Sequence, residues 1–271
     1  VASVTYTVRD VSEDTATCVP QTTRAAQPAS QPSRAGGEPT QRAARTATIS
    51  VIIPALNEQN NIERTLRPLI TKQNIEVIVV DGGSTDGTVS IAKALGATVV
   101  GSAPGRARQM NAGARLAEGE TLLFLHADTV LPRDFDHHIQ SQLSRSNVVA
   151  GAFRLGLDAD AWSLGVLKRL VNWRSSRLQR PYGDQALFMS AKVFERLGGF
   201  PDVPVMEDYI LVQRLRTLGR IALADAEAVT SARRWTRHGV LRVTLINQLV
   251  ILGYRMGLAP QRLAQWRERL C

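Results

Sequence analysis

Two cysteines in 271 residues, Cys18 and Cys271, cannot build a disulfide framework, and their spacing makes no zinc site. A reducing compartment, the cytoplasm, is the simplest expectation. Aromatic residues are only 5% of the chain and no recognised nucleic-acid motif is present, which argues against a nucleic-acid partner. No run reaches the about 20 mostly apolar residues that a membrane-spanning helix needs. The longest, VLRVTLINQLVILGYRMGLA, is broken by Arg242, Asn247, Gln248 and Arg255. It reads as an amphipathic helix whose apolar face lies on the protein body or peripherally on a membrane surface. Acids are also scarce: 24 Asp and Glu stand against 33 Lys and Arg, a net charge of +9. An anionic partner follows, either a phosphorylated small molecule or a membrane surface.

What is there divides into three parts. Residues 1–46 are rich in Ala, Pro, Ser, Thr, Gln and Arg and lack apolar periodicity, so they read as a flexible N-terminal tail, with a transit peptide as the alternative. Residues 47–150 read as a nucleotide-binding half. Four short apolar runs, ISVII, IEVIVV, ATVV and TLLFL, alternate with helical segments. Continuous apolar strands of this kind belong to a mostly parallel α/β sheet covered by helices on both faces. Ser84 or Thr85 is placed to cap the second helix and Gly96 to end it. Residues 151–271 read as an acceptor-binding half with C-terminal amphipathic helices. There AGAFRL and GDQALFMS look like strands, MEDYILVQRLRTLG like a helix opened by two acids, and SARRWTRHG like a basic loop.

The polar residues at the ends of the runs carry the chemistry. Asn57 and Glu58 follow the first run, Asp81 the second, His126 and Asp128 the fourth. Open parallel sheets bind ligands beyond the carboxyl ends of their strands. Three runs therefore bring carboxylates to one edge of a basic protein. Carboxylates repel a phosphorylated ligand unless a cation stands between them, so a divalent metal, Mn²⁺ or Mg²⁺, is expected, with Asp128 as ligand and His126 two residues away.

At this point the motifs resemble a known family. PALNE (54–58), VVDGGSTDGT (79–88), GRARQMNAG (105–113), FLHAD (124–128) and MED (206–208) occur in the order found in family 2 glycosyltransferases of the GT-A fold. FLHAD, GDQ and MED together resemble a small subgroup. The resemblance implies a metal-dependent, inverting transfer of a sugar from a nucleoside-diphosphate sugar to an acceptor hydroxyl. It implies donor contacts from Pro54, Glu58, Asp81, Arg106, His126 and Ala127, and metal ligation by Asp128 and His126. The usual Asp-x-Asp metal motif reads His126-Ala127-Asp128 here, so His126 stands as metal ligand or as donor contact. Asp208 matches the catalytic base, beside Glu207. Gln185, Arg234, Trp235 and His238 are candidate contacts to the diphosphate or the acceptor, and Arg233 belongs to the same basic segment. Two other classes stay open: a sugar-nucleotide pyrophosphorylase, although PALNEQNN lacks the glycines of its nucleotide loop, and a non-catalytic nucleotide-binding or membrane-surface protein.

Overall fold

A computed structural model describes residues 48–270. The tail, residues 1–46, and both cysteines lie outside the described residues. The first part alternates as read: β1 (Ile49–Ala55), α1 (Ile62–Ile70), β2 (Ile75–Asp81), α2 (Thr88–Ala94), β3 (Thr98–Gly101), α3 (Arg106–Leu116) and β4 (Thr121–Phe124). Then come β5 (Thr129–Val130), α4 (Phe135–Leu143), β6 (Val148–Leu157), α5 (Trp162–Leu178), β7 (Leu187–Ser190) and α6 (Ala191–Arg196). The chain continues with α7 (Glu207–Leu218), β8 (Arg220–Thr230), α8 (Arg233–His238), α9 (Val240–Arg255) and α10 (Pro260–Leu270).

All eight strands form one sheet, in the order β3-β2-β1-β4-β7-β6-β8-β5. β1, β2, β3 and β4 are mutually parallel, as are β6 and β8, while β7 and the two-residue β5 run against their neighbours. Residue 150, the expected meeting point of two halves, lies within β6, so one sheet runs through both.

Alternation along each strand explains the nearly continuous apolar runs. Val51, Ile53, Val79 and Leu123 pack on one face with Leu66 and Leu69 of α1 and Phe135 of α4. Ile52, Ile78, Val80 and Leu122 pack on the other face with Met110 of α3 and Leu211 and Leu215 of α7. Both faces are covered, so the runs of β1 and β2 are apolar except where Ser50 of β1 donates to Glu76 of β2. Gly113 permits the tight approach of α3: a methyl there would stand 2.5 Å from Cγ2 of Ile52 and 2.9 Å from Cγ2 of Val80. That approach sets Arg106, at the other end of α3, over the sheet edge.

Three local expectations are corrected. α2 starts at Thr88 after Gly87, and neither Ser84 nor Thr85 caps it. Asp86 takes the Thr88 N–H instead, while the Ser84 hydroxyl and Thr85 N–H are spent on Asn57. GDQ is no part of a strand: Gly183–Gln185 is a short 3₁₀ turn, and the strand begins at Leu187. The basic loop after β8 is the helix α8. α9 is a helix as read, and among the described residues no helix is long and apolar enough to cross a membrane.

Candidate active site

Parallel pairing of β1, β2 and β4 brings their carboxyl ends to one edge, and with them Glu58, Asp81 and Asp128. β7 is antiparallel to β4 and pairs Leu187 with Phe124, so the turn before it, Gly183–Gln185, arrives at the same edge. β6 and β8 also point their ends there, delivering Asp158 and the segment Ser231–Arg233.

The loops beyond β1 and β2 are zipped together. Asn57 sits in the left-handed region (φ 55°), donates its N–H to Ser84 Oγ and accepts the Thr85 N–H. Glu58 donates its N–H to Thr88 Oγ1 at 2.8 Å, and Asp86 accepts the Gln59 N–H at 3.2 Å. Asp81 closes its own turn by accepting the N–H groups of Gly83 and Ser84, both at 3.0 Å from Oδ2. Pro54 is half-buried within β1. Ala127 is buried, and its carbonyl accepts the Thr65 hydroxyl at 2.8 Å.

Asp128 stands in a charged knot. Its Oδ2 lies 3.3 Å from a guanidinium nitrogen of Arg233, and the same nitrogen is hydrogen-bonded to Oε1 of Glu58. The pairing of β5 with β8, Thr129 opposite Thr230, is what carries Arg233 here. Asp158 supports it by accepting the Ala232 N–H at 2.7 Å and pairing with Arg64 at 3.2 Å. Burial raises the Asp128 carboxyl above the usual range and Glu58 adds to this, while Arg233 opposes it. A cation therefore already sits between two of the three carboxylates that the sequence sends to the edge, Glu58 and Asp128.

Across the cleft lies a small cavity lined by Arg106, Met110, Phe124, His126, Gly183, Leu187, Phe200 and Asp208. Asp208 accepts the Gly183 N–H on Oδ2 at 2.8 Å and the Tyr209 N–H on Oδ1 at 2.7 Å, which fixes the plane of its carboxylate. Glu207, nearly buried, pairs with Arg106 at 3.4 Å. Burial and the neighbouring Asp208 raise the Glu207 carboxyl, and Arg106 works against them. Both acids open α7, where the helix dipole favours negative charge. Met206 just before them is left-handed (φ 75°), as is Ala186 (φ 49°) after the 3₁₀ turn. Such conformations cost roughly 1–3 kcal/mol each and cluster at functional sites.

His126 faces this cavity. Its Nε2 is shut from solvent and has no hydrogen-bond partner, although an edge of the residue stays exposed. A methyl on Gly183 would meet Nε2 at 3.1 Å and Asp208 Oδ2 at 3.3 Å, so the two groups flank one point. Burial, with the charge of Arg106 adding to it, lowers the imidazole pKa to about 3. The unfolded chain thus takes up a proton near the ordinary His pKa of about 6.5, whereas the folded chain takes it up only near 3. Folded stability is full above that window and falls as pH drops through it. In chelator, His126→Gln should lose less stability than the wild type between those limits, by up to about 1.4 kcal/mol per pH unit. Parallel denaturation curves across the window contradict this placement.

The remaining sequence candidates do not all reach the cleft. Gln185 is fully buried: its oxygen accepts Ser175 Oγ at 2.6 Å and its amide donates to the Phe153 carbonyl at 3.1 Å. It holds the 3₁₀ turn and makes no cleft contact, because both ends of the amide are engaged. Trp235 packs against the cluster of Leu164, Leu167 and Ala232. Arg234 reaches Asn247 at 3.4 Å, and His238 ends α8 half-buried. Sequence reasoning missed three residues at this edge. Gln109 donates to the carbonyls of Ala55 and Val80 at 2.9 and 2.8 Å, tying the ends of β1 and β2 to α3. Asp158 follows a strand, the same signal that singles out Asp81 and Asp128. Asp184 is the third, its carboxyl raised by burial and by Asp208, with Arg174 opposing.

This edge of a mostly parallel sheet, with acids on both sides of a cleft, is the arrangement of the GT-A glycosyltransferases. Residues 50–192, more than half of the chain, match the family described as glycosyl transferase family 2, and the chain belongs to that family. Among solved structures, it superposes on a mannosyltransferase of Pyrobaculum calidifontis in complex with GDP-Man and Mn²⁺, with a TM-score of 0.61 and 25% identity over 82% of this chain and 68% of that one. A glucosyl-3-phosphoglycerate synthase of Mycobacterium tuberculosis is 35% identical over 97 residues, 31% of this chain and 30% of the relative. The succinoglycan biosynthesis protein ExoA of Rhizobium meliloti is 50% identical over 54 residues, 18% of this chain and 16% of the relative. These matches span less than a third of either curated relative.

Proposed function

We propose that the chain transfers a sugar, with inversion, from a nucleoside-diphosphate sugar to an acceptor hydroxyl in a reaction that needs a divalent metal. The observation that carries this reading is the shared cation between Glu58 and Asp128 at the carboxyl edge, opposite a carboxylate, Asp208, fixed by two N–H groups. The residues fit a metal. Asp128 offers an oxygen already facing a positive charge. Among the described residues no three His, Cys, Asp or Glu gather tightly enough to hold an ion alone, so the donor's diphosphate would have to complete the coordination. Such a metal, Mn²⁺ or Mg²⁺, would neutralise the leaving diphosphate.

In this reading Asp128 is the protein's metal ligand. His126, whose Nε2 faces the Asp208 side, contacts the donor sugar. Glu58 and Asp81 hold the nucleoside, and Arg106 contacts the diphosphate. Asp208 takes the proton of the attacking hydroxyl, and Glu207 with Arg106 keeps it in place. Arg233 neutralises Glu58 and Asp128, a charge that a metal held by Asp128 would supply in its place. UDP- and GDP-sugars are the donors of choice to try, because similar proteins bind GDP-Man or UDP-sugars. A saturating donor, at about a hundred times its Kd, should stabilise the fold by about 2.7 kcal/mol, readable as a rise in Tm, and only with Mn²⁺ or Mg²⁺ present. Arg233→Ala should bind Mn²⁺ more tightly than the wild type without donor, in a calorimetric titration. Unchanged Mn²⁺ affinity removes Arg233 from the metal position, and a metal-independent donor shift removes the metal.

A further inference from the structure

We propose that the outward face of α9 seats the protein on an anionic membrane surface. α9 is apolar on two adjoining faces. Val243, Ile246, Val250 and Gly253 are buried against the body. The other face carries Leu241, Leu245, Leu249, Leu252 and Met256, with 85, 61, 44, 53 and 75% of each residue exposed. Their spacing follows the helical repeat, so they form one continuous stripe. Scattered exposed leucines need no explanation, but four leucines and a methionine aligned along one helix do.

Charge selects the occupant. Residues 240–270 hold five arginines and a single acid, Glu268. Arg242 and Arg255, both exposed, border the stripe at opposite ends of α9. Arg242 also donates to the Leu270 carbonyl at 3.1 Å, which lays the end of α10 beside the start of α9 and adds the exposed Arg269. Trp266 of α10 is 44% exposed, and α5, packed beside Val240, exposes Trp162 and Trp173. An apolar stripe edged by arginines and tryptophans matches the depth profile of a bilayer interface, where acyl chains lie below anionic headgroups. A second copy of the chain is a poorer occupant, because a two-fold contact sets the same arginines against each other.

The test is co-sedimentation of the full chain with vesicles of phosphatidylcholine, with and without phosphatidylglycerol. Binding to the anionic vesicles is expected, weakened by salt. Leu245→Glu with Leu252→Glu should lower vesicle affinity about a hundredfold and leave Tm and donor binding unchanged. Should that pair unfold, Arg242→Glu with Arg255→Glu, on exposed positions, should weaken binding to the anionic vesicles alone. No binding to anionic vesicles at low salt overturns the proposal. So does binding that ignores both variant pairs, which would reduce it to net charge. A dimer in sedimentation that the Leu→Glu pair dissolves overturns it in favour of self-association. Sugar transfer to a soluble acceptor reads separately, so failure of vesicle binding leaves the catalytic proposal standing.

Discussion

Asp208→Asn should slow sugar transfer by about 10²–10⁴-fold, the usual contribution of a general base, while donor and metal binding survive. The attacking hydroxyl must lose its proton as it meets the anomeric carbon, and the base must reach it within hydrogen-bond distance. Asp208 is the carboxylate that lines the cavity opposite the Asp128 edge, beside Arg106 and His126. The N–H groups of Gly183 and Tyr209 hold it there, and each oxygen keeps a further lone pair. An asparagine retains the shape and loses the proton affinity. It also leaves one N–H without an acceptor, at a cost of about 1–3 kcal/mol if buried, so the folded fraction has to be checked by near-UV circular dichroism. A fall in kcat with KM for the donor unchanged is the expected signature. A single base-assisted displacement attacks the face opposite the leaving diphosphate, so NMR of the product should show inverted anomeric configuration. Retained configuration, or near-normal turnover of the variant, removes Asp208 as base.

Asp128→Asn should abolish metal-dependent turnover while the fold persists. Asp128 is the carboxylate that ends the buried run of β4 and faces the Arg233 guanidinium. An amide keeps the hydrogen bond from Thr230 but supplies no charge to a divalent ion. The fold should tolerate the change because burial already disfavours the ionised form of this carboxyl. Calorimetry should show Mn²⁺ binding lost in the variant, and turnover should not return at high metal concentration. Normal Mn²⁺ affinity, or full activity at saturating donor, would place the metal elsewhere.

The sheet was legible because its strands are covered on both faces, so Ile49–Ile53 and Ile75–Val80 stand out as apolar runs interrupted only by Ser50 and Glu76. The edge acids were legible for the same reason: a carboxylate after such a run has nowhere to go but the ligand edge. What the residues do there was less legible. Asp81 closes its own turn through Gly83 and Ser84, a contact that an acid followed by two glycines does not distinguish from a free ligand. Arg233 is 175 positions from Glu58 in sequence, and only the two-residue pairing of β5 with β8 brings them together. Two residues carry no period, so no pattern announces β5. Gln185 reads as a polar site residue, and only burial shows its amide to be spent on Ser175 and Phe153. The left-handed Met206 and Ala186 break the rule that glycine marks such positions, so the strain beside Asp208 is invisible before folding.

The central claim is metal-dependent cleavage of a nucleotide sugar by this edge. Its most direct measurement is release of free nucleoside diphosphate from a panel of UDP- and GDP-sugars, with Mn²⁺ or with chelator, by the wild type and by Asp128→Asn. Release with metal from at least one donor, stopped by chelator and absent in the variant, is the predicted result. Release that persists in chelator or in Asp128→Asn, or no metal-dependent binding or release with any nucleotide sugar, would contradict it.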